Sequence, residues 1–257
     1  MKKTNMLSLK RMILITVIVC AMVLTCACAN DADEFGEQVV QIGDDTPSNT
    51  GAAADEGPKQ TPAITENLDV PNGGMDIGNG LTIEKYISYA GLYVEDGTDE
   101  TVSGVLGIQV KNNGDKAVQY AHIELSNAEN KYEFDLTTLP VGATVQLLEL
   151  SRQPMPESTD GYTALVTMYA AFDAEPGMNA DALEITTQDT AITVKNISGK
   201  DMGQVYVYYK VAYGELYLGG ITYRVGVNGL AAGQSTTCYA GHYSTEYSKL
   251  MFATYEH

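Results

Sequence analysis

The residue types best suited to chemistry in this chain of 257 residues are its four cysteines, three histidines and seventeen tyrosines. Their spacing argues against catalysis. His122, His242 and His257 share no metal-ligand spacing, and His122 lies in Ala121-His122-Ile123-Glu124-Leu125, where alternation makes it a half-exposed strand residue before a general base. Glu95-Asp96-Gly97-Thr98-Asp99-Glu100 gathers carboxylates that could offer oxygen to calcium, yet it lacks the ligand set of a dedicated loop and reads as a solvated hairpin turn. No Ser-centred nucleophile elbow, phosphate-cradling glycine loop or spaced Cys/His cluster occurs. The expectation is a chain that is not an enzyme, needs no cofactor and holds no metal. The opposing reading, an envelope enzyme with dispersed residues, requires His122, His242 and some carboxylates to converge.

The tyrosines suggest a different use. Tyr206, Tyr208, Tyr209, Tyr213, Tyr217 and Tyr223 crowd one predicted hairpin. Tyrosine combines apolar area with a hydroxyl at low entropic cost, which suits protein or glycan recognition. Tyr206, Tyr208, Tyr213, Tyr217 and Tyr223 are therefore the candidate partner surface, set against the competing reading that they are core and cross-strand pairs. The absence of Trp weighs against a dedicated carbohydrate platform.

Three of the cysteines belong to the opening segment, where Lys2, Lys3, Lys10 and Arg11 precede an apolar run from Met12 to Leu24 and then Thr25-Cys26-Ala27-Cys28. A membrane-spanning helix needs about 20 apolar residues, so this run is too short to span and reads as the core of a cleaved export signal. Leu24-Thr25-Cys26-Ala27-Cys28 resembles the lipobox of bacterial lipoproteins, in which a small residue precedes the modified cysteine. Ala27-Cys28 fits that order; Cys26, behind Thr25, and Cys20, behind Val19, do not. The resemblance implies cleavage after residue 27, a diacylglyceryl thioether on Cys28 and a chain held on the outer face of the cell membrane. Cys238 would then remain as a small buried hydrophobe within an apparent strand.

Charge limits the partners. Acidic residues outnumber basic ones 33 to 15, and loss of the leader's four cations takes the net charge from −18 to −22. Such a surface repels phosphate backbones, which excludes nucleic acid as a partner. Residues 28–80 are rich in Asp, Glu, Gly, Thr, Asn and Pro and poor in large apolar side chains, so they read as a disordered acidic tether. As a flexible coil it would have an end-to-end distance of about 40 Å.

Beyond the tether the chain repeats itself. Ile108-Gln109-Val110-Lys111-Asn112-Asn113-Gly114-Asp115-Lys116 matches Ile192-Thr193-Val194-Lys195-Asn196-Ile197-Ser198-Gly199-Lys200; Leu139-Pro140-Val141-Gly142 matches Leu230-Ala231-Ala232-Gly233; Tyr162-Thr163-Ala164-Leu165 matches Tyr247-Ser248-Lys249-Leu250. Three landmarks in one order indicate a duplicated unit. Alternation at Val205, Val207, Tyr209 and Val211, and again at Ile221, Tyr223, Val225 and Val227, has the period of a half-buried strand. Short strands with turn signals favour an antiparallel sandwich, and Pro176-Gly177 marks the joint. The expected domains are residues 81–175 and 182–257. On the motif from Ile192 to Lys200, the Tyr-rich hairpin and Leu230-x-x-Gly233-Gln234-Ser235, the repeats resemble the immunoglobulin-like accessory domains of Gram-positive surface lipoproteins, including the FxLYD type, although the literal Phe-x-Leu-Tyr-Asp string is absent. The resemblance implies an all-β fold of two tandem immunoglobulin-like sandwiches and a non-catalytic binding or scaffold role, with an envelope protein or glycan as partner. An accessory or ligand-binding subunit of a membrane transporter is the alternative, and it predicts a concave, tyrosine-lined pocket between the modules.

Overall fold

The computed structural model describes residues 63–70, 73–98 and 100–257. The leader, Cys28 and the tether as far as residue 62 lie outside them. The described residues are all-β, with strands β1 (Ala63–Asp69), β2 (Met75–Gly78), β3 (Leu81–Leu92), β4 (Thr101–Asn112), β5 (Val118–Ser126), β6 (Lys131–Leu139), β7 (Thr144–Leu148) and β8 (Thr163–Ala171) in a first half. The second half comprises β9 (Leu183–Gln188), β10 (Ala191–Asn196), β11 (Met202–Tyr213), β12 (Leu216–Leu218), β13 (Tyr223–Leu230), β14 (Ser235–Tyr239) and β15 (Ser248–Glu256).

The duplicated landmarks translate into duplicated pairing. In the first half β4 lies between β3 and β7, while β5 lies between β6 and β8. In the second, β10 lies between β9 and β14, while β11 lies between β13 and β15. Each half thus pairs six of its strands into two antiparallel sets of three. Ala121, Ile123 and Leu125 of β5 and Phe134 and Leu136 of β6 face Ile83, Ile108, Val110, Val145 and Leu147 across the first core. Full burial of one such Leu or Ile side chain is worth roughly 1.5–3 kcal/mol, so the alternation along each strand is the main source of its stability.

The repeated Val-Lys-Asn sequence has a specific structural cause. Asn112 and Asn196 end the corresponding strands β4 and β10 and are completely buried. Asn112 Nδ2 donates to the carbonyls of Lys116 (2.9 Å) and Leu139 (3.1 Å), while its Oδ1 accepts from Gly114 N at 3.0 Å. Asn196 Nδ2 donates to Lys200 (2.7 Å) and Leu230 (2.9 Å), and its Oδ1 accepts from Ser198 N at 3.0 Å. One side chain therefore ties the following turn to the distant Leu-x-x-Gly corner, and satisfying its amide is the condition for burying it.

Two features depart from the sequence expectation. Residues 63–69 and 75–78, assigned to the tether, form β1 and β2, both paired with β3. Val70 and Ile77 are buried in the first core, so these few apolar residues suffice once a sheet edge is there to receive them. The halves are also not separated beads. β12 pairs in parallel with β7, Leu216 to Leu218 against Thr144 to Gln146, which continues the β3–β4–β7 layer into β11 and gives one nine-stranded sheet. Ile87, Tyr89, Tyr93, Val94, Val105 and Leu148 of the first half belong to the second half's core.

Candidate functional site

Among the described residues, chemistry-bearing side chains collect at the junction of the halves, where they are buried, and on an open sheet face. The junction is closed by Glu95 and Lys210. Lys210 follows Tyr206 and Tyr208 on the side of β11 away from the second core, and the whole run from Val207 to Ala212 is buried because the first half covers that side. Lys210 Nζ donates to the carbonyls of Thr137 (3.0 Å), Gly220 (3.0 Å) and Ile221 (2.8 Å). Glu95 accepts from Leu148 N at 2.7 Å through one oxygen and from Gly220 N through the other. Thr137 Oγ1 donates to the Gly220 carbonyl and lies 2.8 Å from Thr222 Oγ1. A Cβ on Gly220 would stand 1.9 Å from the Asp135 carbonyl oxygen, so only glycine permits this approach.

Burial pushes the Glu95 carboxyl up, against the two N–H donors and the Lys210 charge that favour the anion. Burial pushes Lys210 down, opposed by the Glu95 charge. Both groups are sealed inside β structure with their hydrogen-bonding capacity engaged by backbone. Their hydrogen bonds cross-link the halves, Glu95 reaching Gly220 and Lys210 reaching Thr137.

Of the described carboxylates in the segment from Glu95 to Glu100, Glu95 alone reaches the second half, while Asp96 and Glu100 bond within the first. Glu95 is buried rather than solvated; Asp96 and Glu100 each hold Arg152 at 2.6 Å, and the guanidinium lies 4.5 Å from the centre of the Tyr93 ring. Tyr93 OH donates to the carbonyls of Glu149 and Leu150, and desolvation raises its pKa strongly. Sequence reasoning missed Lys210 and placed Glu95 in a solvated turn, where the structure buries it. Their only local signal is a carboxylate directly after Tyr93-Val94 and a cation inside an otherwise apolar-aromatic strand.

The open face belongs to β6–β5–β8. Period-two alternation sends His122 and Glu124 of β5 outward, with Asp135 and Glu133 of β6 directly opposite on one side and Met168 and Leu165 of β8 on the other. His122 Nδ1 lies 2.7 Å from Asp135 Oδ1, to which Tyr120 OH also donates at 2.9 Å. Lys131 Nζ bridges Glu124 (3.1 Å) and Glu133 (2.8 Å), and its hydrogen bond holds the Glu133 carboxyl below its usual value. Met168 and Leu165 are about half exposed beside this polar row, at 51% and 49%.

The histidines do not converge as a dispersed active site requires. His122 joins its carboxylates on this face, whereas His242 stacks on Tyr223, their ring centres 4.7 Å apart, in the second half, and His257 Nδ1 lies 3.1 Å from the Asp201 carbonyl oxygen. The five candidate tyrosines divide. Tyr223 is buried and stacked on Tyr209, and Tyr208 is buried face to face with Phe252 at 4.1 Å. Tyr206 is half-buried with the Arg224 guanidinium 4.3 Å from its ring centre, Tyr217 is half-buried with Lys249 Nζ 5.7 Å from its own, and Tyr213 is exposed. Cys238 lies in the second core, where desolvation raises its thiol pKa.

Neither a protein-family model nor a curated protein sequence matches this chain.

Proposed function

We propose that this chain is a lipid-anchored protein of the outer face of the cell membrane, held through Cys28, whose two immunoglobulin-like halves form a non-catalytic binding or scaffold body. The observation that carries the binding role is the accessible aromatic set Tyr206, Tyr213 and Tyr217, two of whose rings carry a cation. Tyr206 with the Arg224 guanidinium against it offers a partner apolar area, a hydroxyl and a local positive charge on an otherwise acidic chain, which suits an envelope protein or an acidic glycan, whereas the ammonium beside Tyr217 is paired with Glu215 at 3.0 Å. Six equivalent strands in each half, β3–β8 in the first and β9–β11 with β13–β15 in the second, pair first to second to fifth and fourth to third to sixth, which supports the immunoglobulin-like reading. The junction sealed by Glu95 and Lys210 suits a scaffold, since it lets the two halves present their surfaces as one body. A transporter subunit would place a concave tyrosine-lined pocket between the halves; that boundary is filled instead by Lys210, Thr137, Thr222 and Gly220.

Affinity capture from native envelope with the protein from Ala29 onward tests the binding role. Capture of a partner that Tyr206→Ala with Arg224→Ala abolishes supports the reading, and equal capture by both proteins removes the assigned surface. Membrane fractionation of Cys28→Ala tests the anchor separately, with release into the soluble fraction as the expected result.

A further inference from the structure

We propose that the outward face of β5 and β6 is a binding site for a divalent transition-metal ion, with His122, Glu124 and Glu133 as ligands and Asp135 as the residue that orients the imidazole. Strand geometry alone brings these groups together. His122 and Glu124 are two apart on one face, and Glu133 is the direct cross-strand neighbour of Glu124. Their donor atoms all lie within 4.8 Å of one another.

The arrangement of His122 points to a ligand. A carboxylate has only lone pairs to offer, so the 2.7 Å contact with Asp135 requires the proton on Nδ1. Tyr120 OH donates to the same Asp135 oxygen at 2.9 Å and fixes its position. With Nδ1 committed, Nε2 is the ring nitrogen that carries the lone pair, the carboxylate-imidazole arrangement by which proteins present histidine to metals. Nε2 faces Glu133 Oε1 at 3.8 Å, too far for a hydrogen bond. An ion about 2.0–2.1 Å from each atom sets tetrahedral ligands about 3.3–3.4 Å apart, so the 3.8 Å pair closes by about 0.4–0.5 Å and no pair by more than about 1.5 Å.

Charge supplies the second argument. Two glutamates directly opposite each other on a sheet repel. The structure relieves this with a cation, Lys131 Nζ, set between Glu124 and Glu133. Counting Asp135, three carboxylates face one lysine, and a divalent ion balances the excess that lysine leaves. Lys131 is half exposed on a flexible stem and moves aside at small expense. An imidazole nitrogen among carboxylate oxygens selects the zinc, nickel and copper class over calcium or magnesium, which take oxygen ligands. The site is independent of the anchor and of the tyrosine surface.

The test titrates the full chain, extracted in detergent, with Zn²⁺ by calorimetry. Expected is one equivalent whose affinity falls at least tenfold in His122→Ala and by roughly ten- to hundredfold in Asp135→Asn. Lys131→Met removes the competing cation and should tighten binding by roughly two- to fivefold, a gain that a merely structural role for these residues would not produce. Co²⁺ added to the unaltered chain should broaden the His122 ring protons in NMR spectra, which reads the same contact without substitution. Unchanged Zn²⁺ affinity in His122→Ala, or broadening confined to His242 and His257, would overturn the proposal.

Discussion

Replacing Lys210 by methionine is the sharpest perturbation of the junction, because it keeps the stem volume and deletes only the charge and its three donors. Lys210 is completely buried, and its ammonium serves the carbonyls of Thr137, Gly220 and Ile221. Its loss leaves Glu95 as a buried carboxylate held by two backbone N–H groups without a compensating cation. Breaking a buried pair from one side typically costs about 3–5 kcal/mol. With a urea slope of about 2 kcal/mol per molar, the unfolding midpoint should fall by about 2 M. Tyrosine fluorescence reports the transition directly, since the chain has 17 Tyr and no Trp. The double variant Glu95→Gln, Lys210→Met should lose less than the two single losses added together, because the uncompensated charge is gone.

The pH dependence follows from the directions of the two shifts. Glu95 has a folded pKa raised above its unfolded value, so its contribution is full in acid and is lost as pH rises toward about 7. Lys210 has a folded pKa lowered below its unfolded value, so its contribution is full in alkali and is lost as pH falls toward about 7. In Lys210→Met only the carboxyl limb survives, and the deficit relative to wild type should shrink as pH falls from about 8 to about 5. A loss below about 1 kcal/mol in Lys210→Met, or strict additivity with Glu95→Gln, would refute the reasoning that these groups compensate one another.

Gly220→Ala forces a methyl against the Asp135 backbone and should destabilise by about 3 kcal/mol or more, seen as a lowered midpoint in the same titration. Asn112→Ala and Asn196→Ala should each lose about 2–4 kcal/mol, and by similar amounts, because they delete equivalent bonds and orphan equivalent buried carbonyls; differential scanning calorimetry checks the equality. Cys238, buried and with a raised thiol pKa, should resist an aromatic disulfide reagent in the native protein and react at the rate of unfolding once urea is added.

Much of the architecture could be read before the structure because its causes are local. Val205, Val207 and Tyr209 alternate with Tyr206 and Tyr208, and alternation alone makes the strand and assigns its core face. The repeated Asn could be located as a landmark, though its amide bonds to Leu139 and Leu230, 27 and 34 residues away, could not be inferred from one strand. For His122 the period predicted an outward position, and the structure adds that the β5–β6 register sets Asp135 and Glu133 against it. Register depends on the turn and on the buried set of both strands together, so the cluster was invisible from residue spacing.

The period of each strand, the duplication and the acidic balance are properties of residues along the chain and were legible in it directly. Tertiary structure alone decided which face of β11 stays open. The same alternation that set Tyr206, Tyr208 and Lys210 on one side left Tyr206 accessible, while Phe252 of β15 covers Tyr208 and the first half reaches Lys210 through Thr137. It also decided that Glu95 would be the counter-charge to a lysine 115 positions away in sequence. Burial is a property of what arrives on the other side, and no periodicity within a strand encodes it.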